Sequence, residues 1–202
     1  AALQLVRERA RAMQAAGREQ PGGMAAVLGL EVNEVEAACC EASLSQAGVV
    51  AVANDNCPGQ VVISGHTAAL SAAADLLAQR GARKVIRLAV SIAAHSPLMA
   101  SAQDAFNKAL HATAIRAPSL PIIGNVDAAP LTVPETIRAD LEAQLTSRVR
   151  WTESVRALIS AGINTFLELG PGSVLSGLVR RIDRSVSAIP VDTPESLGAL
   201  SA

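Results

Sequence analysis

The chain has 202 residues, 50% of them hydrophobic, which is enough to bury the core of one large domain or two small ones, and no apolar run is long enough to span a bilayer. Its net charge is −1, from 17 basic and 18 acidic residues, so no strong field draws it to nucleic acid or to an anionic membrane. Aromatic side chains are confined to Phe106, Trp151 and Phe166, too few for base-stacking platforms. Cys39, Cys40 and Cys57 form no CxxC pair and no even disulfide framework. They read as buried or half-buried thiols of a cytoplasmic protein.

Ala1 to Ala16 reads as a helix with Leu3, Val6, Ala10 and Met13 on one face. The sequence starts inside that helix and without methionine, which suggests a truncated product or a partial gene. Gly17 to Gly23 is turn-rich. Met24 to Leu30 is a short apolar strand, and Asn33 caps a helix running to about Gln46. Val49 to Asn54 is a second strand, and Pro58-Gly59 turns the chain into a third, Gln60 to Ser64. Thr67 opens a helix ending near Gly81, and Lys84 to Val90 is a fourth strand. The order β-α-β-β-α-β is the ferredoxin-like split unit, so residues 20–91 are expected to form a compact small subdomain.

Beyond Ser96 the pattern alternates. Pro97 to Ile115 is a helix, Leu120 to Val126 a strand, and Pro134 to about Ser147 and Thr152 to Ala161 are helices. Thr165 to Leu169 is a buried strand, and Gly170-Pro171-Gly172 turns it into a helix reaching about Ile182. Val186 to Val191 is the last strand, followed by a short helix after Pro194. Alternation of this kind argues a parallel sheet with covered faces. The expected fold class is therefore α/β, with residues 1–19 and 92–202 forming a larger core and residues 20–91 inserted between its parts.

One stretch stands out for chemistry. In Val90-Ser91-Ile92-Ala93-Ala94-His95-Ser96-Pro97 a strand-like run hands over to a helix, with Ser96 and Pro97 as cap and first-turn signals. His95 at such a junction is a candidate general base, although a lone histidine is more often structural. His66 and His111 lack that setting and read as surface residues. Arg9 sits among three arginines within five residues; these are either a solvated face or a fixed guanidinium able to grip a carboxylate bidentately. Glu168-Leu169-Gly170-Pro171-Gly172-Ser173 is either a phosphate-binding helix start or a tight strand-to-helix turn, and the absence of Walker or dinucleotide spacing favours the turn. No Gly-x-Ser-x-Gly elbow occurs, so the chain offers a base and no credible nucleophile.

Several ordered pieces together resemble the malonyl-CoA:acyl-carrier-protein transacylases and the related acyltransferase domains of polyketide and fatty-acid synthases. They are Leu5-Val6-x-x-Arg9, Asn54-x-Asn56-x-Pro58-Gly59-Gln60-Val61-Val62-Ile63-Ser64-Gly65 and Val90-Ser91-x-x-x-His95-Ser96-Pro97-Leu98-Met99. Asn125-Val126, Gln144-Leu145, Val149-x-Trp151 and Glu168-Leu169-Gly170-Pro171-Gly172-x-Val174-Leu175-x-Gly177-Leu178 complete the set. The resemblance covers essentially the whole chain. It implies a partial α/β-hydrolase-like core with an inserted ferredoxin-like subdomain. It further implies transfer of malonyl from malonyl-CoA to the phosphopantetheine thiol of acyl carrier protein, in fatty-acid synthesis, through a serine acyl-enzyme.

Within that resemblance His95 matches the catalytic histidine and Arg9 the carboxylate-binding arginine. Gln144 matches the glutamine whose main-chain carbonyl orients the histidine, and Asn54 and Asn56 match a stretch beside the cleft. The serine elbow and the oxyanion segment of the family lie upstream of the arginine helix, so the 202-residue chain alone is expected to be inactive. Neither a cofactor nor a metal is implied. The implied partners are acyl carrier protein and a coenzyme A thioester, for a cytoplasmic monomer without nucleic-acid or membrane partners. A polyketide-synthase acyltransferase domain or a non-catalytic carrier-binding fragment are the alternatives, the latter drawing on Arg180, Arg181 and Arg184 to meet an acidic carrier. Three positions depart from the family pattern: Ala10 where glycine is usual, Ala94 where phenylalanine or serine is common, and Arg148 where proline is frequent.

Overall fold

The computed structural model describes residues 2–45 and 48–200 and shows a mixed α/β protein. Helix α1 (Ala2–Glu19) leads into strand β1 (Gly22–Leu28). Helix α2 (Val32–Ser45), strands β2 (Val50–Cys57) and β3 (Gln60–His66), helix α3 (Thr67–Gln79) and strand β4 (Lys84–Arg87) follow. The strands β4-β1-β3-β2 lie side by side and antiparallel, and a short later strand, Val149–Arg150, joins the β2 edge in parallel.

Alternation along these strands divides their side chains between two faces. Ala25, Val27, Val50, Val52, Val61 and Ile63 pack on Val35, Ala38, Cys39 and Ala42 of α2 and on Leu70, Ala73 and Leu77 of α3. Burial of each large aliphatic side chain here is worth about 1.5–3 kcal/mol, so this face secures the sheet. Met24, Ala53 and Val62 point the other way and meet Ala94, Ile92 and Met13. The second face of the sheet thus lies against the segment that carries His95.

Two irregularities interrupt the β2–β3 ladder, between Val52 and Asn54 and between Asp55 and Cys57. Bulges of this kind bend a strand and re-aim its side chains. At the far end of this pair the backbones nearly touch. A Cβ on Gly65 would stand 2.1 Å from the Val49 carbonyl oxygen, so only glycine fits. His66 is no bystander there, because its Nδ1 accepts a hydrogen bond from the Val49 N–H at 2.9 Å.

Differences from the sequence expectation have local causes. Strand β4 stops at Arg87 rather than Val90, because its pairing with β1 ends at Ala25 and the chain then leaves the sheet edge. Helix α1 turns a different stripe inward: Leu5, Ala12, Met13 and Ala16 pack, while Leu3 and Val6 are exposed. Cys40 is exposed, whereas Cys39 and Cys57 are buried.

A 3-10 turn, Pro97–Met99, precedes α4 (Ala100–His111), which packs on α1 through Ala102, Phe106 and Leu110. The strand expected over Leu120–Val126 shrinks to β5 (Ile122–Ile123), paired with β6 (Pro130–Leu131), whose proline cannot extend a ladder. Helix α5 (Pro134–Ala143), the short strand β7 (Val149–Arg150) and helix α6 (Trp151–Ser160) lead to β8 (Thr165–Leu169). Helix α7 (Val174–Ile182) then returns the chain to β9 (Ser187–Val191), parallel to β8, before α8 (Pro194–Gly198). Val155, Val179 and Ala188 form the small core of this last unit. Strand β8 departs from the buried strand expected there: Leu167 and Leu169 are exposed together with Val174 and Leu175. No helix among the described residues is long and apolar enough to cross a membrane.

Candidate active site

His95 owes its position to a left-handed backbone, φ 58°, a conformation that is costly for a residue with a Cβ. The turn around it is tied down on both sides. Ser96 donates its hydroxyl to the Ala93 carbonyl at 2.7 Å and accepts the Leu98 N–H, and Pro97 then opens the helical segment. The His95 N–H donates to the Leu145 carbonyl at 3.1 Å, which joins this turn to the one that ends α5.

The imidazole is held by the same second turn. Nδ1 lies 3.0 Å from the Gln144 carbonyl and 3.1 Å from the Ser147 carbonyl. Carbonyl oxygens only accept, so Nδ1 carries the hydrogen and the neutral ring keeps its lone pair on Nε2. Among the described residues nothing hydrogen-bonds to Nε2. Burial pushes the His95 pKa below the usual histidine value; the two carbonyl bonds oppose that shift and the positive charge of Arg9 adds to it. The ring is therefore neutral and basic at Nε2 near neutral pH.

Arg9 is half-buried on α1, and burial lowers its own pKa, which leaves the guanidinium charged but partly stripped of water. Asn54 and Asn56 stand half-buried on the bulged part of β2, where Asn54 is in register with Val149, two residues after Ser147. Between them, the carboxylate of Asp55 is buried and accepts the Thr152 hydroxyl at 2.7 Å, clasping the start of α6 to β2. The fold thus brings His95 and Gln144 into contact and places Asn54 and Asn56 on the neighbouring strand. Among the described residues neither asparagine side chain bonds to the histidine. Gln144 meets the imidazole through its backbone, and its own buried amide nitrogen has no partner among the described residues.

Two features were invisible to sequence reasoning. Ser147 contributes a main-chain carbonyl, which no residue type announces. Asp55 and Thr152 are separated by 97 positions and meet only through the β2–β7 pairing. The two buried thiols are poor nucleophiles, because burial pushes Cys39 up to about 12 and raises Cys57 too. Among the described residues no group of three or more His, Cys, Asp and Glu side chains could hold a metal ion.

The glycine turn serves the fold. Gly170, at φ 130°, and Gly172, at φ 93°, let the chain reverse between β8 and α7. The helix start is already occupied by an anion of the chain itself, since the Glu168 carboxylate accepts the Leu175 and Ser176 N–H groups at 2.9 and 2.7 Å. Those bonds hold the Glu168 pKa below the ordinary value of 4.5. A carboxylate whose folded pKa is depressed stabilises above its unfolded pKa and loses that contribution as pH falls through the folded value. Glu168→Gln is expected to lower the melting temperature at pH 7 and to remove part of its decline below pH 4.5, measured by thermal melts across that range.

Comparison with known proteins identifies the family of the chain. The acyl transferase domain family matches residues 1–200. The malonyl CoA-acyl carrier protein transacylase of Bacillus subtilis is 38% identical over 97% of this chain, and the chain spans only 62% of that protein. Among solved structures, a malonyl-CoA:acyl carrier protein transacylase from Xanthomonas oryzae superposes with a TM-score of 0.92 at 46% identity, covering 97% of this chain and 62% of that one. A malonyl-transacylase in complex with a type II PKS acyl-carrier protein superposes with a TM-score of 0.94 at 38% identity, covering 99% and 64%. With the match running from residue 1 to residue 200, the chain belongs to the acyl transferase domain family.

Proposed function

We propose that the chain supplies the base, the carboxylate grip and the histidine support for transfer of malonyl from malonyl-CoA to the phosphopantetheine thiol of acyl carrier protein. The nucleophilic serine of this reading lies on a segment outside residues 1–202. The observation that carries it is the His95 imidazole, held at Nδ1 by two carbonyls with Nε2 free. In the reaction, Nε2 takes the serine proton as the oxygen attacks the thioester carbonyl, and returns it to the departing coenzyme A thiol. The carrier thiol then gives its proton to Nε2 and attacks the malonyl ester, and the proton passes back to the released serine. Carbonyl acceptors take the place of a triad carboxylate: they fix the tautomer, and their negative ends favour the transient imidazolium. Arg9 meets the free carboxylate of malonyl.

The same reading divides the chain into a ferredoxin-like small subdomain, residues 20–91, and part of an α/β-hydrolase-like core, residues 1–19 and 92–202. Its support is the β4-β1-β3-β2 order of the inserted sheet and the parallel β8–β9 pair. For the carrier we propose the face bearing Arg180, Arg181 and Arg184, which line a shallow depression of about 600 Å³ beside β9. Arg181 bonds to Gln60 and to the Pro58 carbonyl, so this basic face abuts the β2–β3 turn.

Radiolabelled malonyl-CoA tests the assignment. The 202-residue chain is expected to take up no covalent label. The protein extended upstream by its flanking coding sequence is expected to become labelled on one serine and to pass the label to phosphopantetheinylated carrier. Labelling of the short chain, or an extended protein that takes no label, would overturn the reading.

A further inference from the structure

Helix α4 buries an apolar stripe, with Met99 just ahead of it and Ala102, Phe106 and Leu110 along it, and one polar residue interrupts that stripe. Gln103 is 7% exposed, and its amide is fully engaged. Oε1 accepts the Leu145 N–H at 2.9 Å, while Nε2 donates to the Leu141 carbonyl at 3.3 Å and to Asn107 Oδ1 at 2.8 Å. The two ends of the amide cannot be exchanged, because one faces an N–H and the other faces two oxygens.

Leu141 and Leu145 bracket Gln144. Helix α5 ends at Ala143, and a helix end leaves carbonyls and the following turn to find partners elsewhere. Here the Ala143 carbonyl is taken by the Thr146 and Ser147 N–H groups, and the Gln144 and Leu145 carbonyls by His95. Two further ties, at the Leu141 carbonyl and the Leu145 N–H, run to Gln103. We propose that Gln103 is a positioning residue: by gripping the backbone on both sides of Gln144 it aims the Gln144 and Ser147 carbonyls at His95 Nδ1. A primary amide suits the task, since it offers a donor and an acceptor at once; a carboxylate or an ammonium has only one of the two. The proposal rests on the reading of His95 as general base only for its catalytic consequence. The geometric claim stands separately.

The chain has three histidines, so the His95 ring nitrogens can be assigned by nitrogen-15 NMR with a His95→Asn reference. The unaltered chain is expected to show the Nδ1–H tautomer. Gln103→Met, similar in length and without hydrogen bonds, is expected to yield a mixture of tautomers and a His95 pKa below that of the unaltered chain, because the carbonyl bonds that raise it are weakened. Gln103→Glu keeps the acceptor for Leu145 and should give an intermediate result, which also serves if the methionine variant does not fold. Asn107→Ala, which removes only the lateral bond, should leave the tautomer unchanged. In the serine-bearing protein, Gln103→Met should lower kcat on the order of tenfold with KM for malonyl-CoA unchanged. A native tautomer and native His95 pKa in both Gln103 variants would overturn the proposal. A shifted tautomer with unchanged transfer would uphold the positioning and count against His95 as the base.

Discussion

Replacing His95 by asparagine is expected to reduce malonyl transfer by the serine-bearing protein on the order of 10²- to 10⁴-fold, the range usual for loss of a positioned general base. Asparagine is the variant of choice because it tolerates the left-handed backbone at φ 58° better than alanine, which separates loss of the base from backbone strain. The surroundings predict the pH behaviour as well. Burial is the largest influence on the imidazole and lowers its pKa from 6.5. A general base works in its neutral form, so on this reading the rate is full above that lowered value and falls as pH drops through it. The acid limb of kcat/KM is expected below 6.5, and initial rates from about pH 5 to 8 would show it. An acid limb above 6.5, or a His95→Asn variant with undiminished transfer, would remove His95 from the role.

The junction that carries His95 could be read because its signals are side chains: an apolar run, two alanines, then serine and proline in cap positions. The sheet strands could be read for the same reason, since alternation and turn residues are properties of residue type. What escaped reading depends on the backbone or on distant packing. Ser147 meets the imidazole through a carbonyl that every residue has, so composition carries no trace of it, and Gln144 is reached only through the family resemblance. Strand β4 ends where its chain leaves the edge of β1, which itself continues to Gly22, a fact about pairing rather than about Leu88 or Val90 themselves. On α1, Leu3 and Val6 are as apolar as Leu5 and Met13, and only the position of α4 decides which stripe is covered. Gln103 did leave a signal. A glutamine one turn after Met99 and three residues before Phe106 is a polar residue at core spacing, and a buried amide must find partners. Glu168 reads in the sequence only as part of a glycine turn, yet a carboxylate placed just ahead of a helix is itself the anion that such a helix start attracts.

Arg9→Ala is expected to change which acyl group the serine-bearing protein prefers. Helix α1 is pinned to α4 by Leu5, Ala12, Met13 and Ala16, so the guanidinium is presented from a fixed support. It is half-buried, and burial already disfavours its charge. A malonyl carboxylate restores two charge-assisted bonds, whereas an acetyl group leaves the guanidinium without them. A fully buried charge left unpaired would cost roughly 3–5 kcal/mol. Solvent reaching half of this side chain reduces that to the scale of a charged hydrogen bond, about 1.5–3 kcal/mol. The ratio of malonyl to acetyl kcat/KM should therefore drop roughly 10- to 150-fold in a competition assay with both thioesters. Arg9→Lys should recover only part of the preference, because a single ammonium cannot match the carboxylate fork. The same variant has a second, independent consequence. Arg9 is one of the influences that depress the His95 pKa, so its removal should move the acid limb of the rate upward. A ratio that stays constant, with an acid limb that does not move, would place Arg9 on the solvated face that its arginine-rich neighbourhood equally describes.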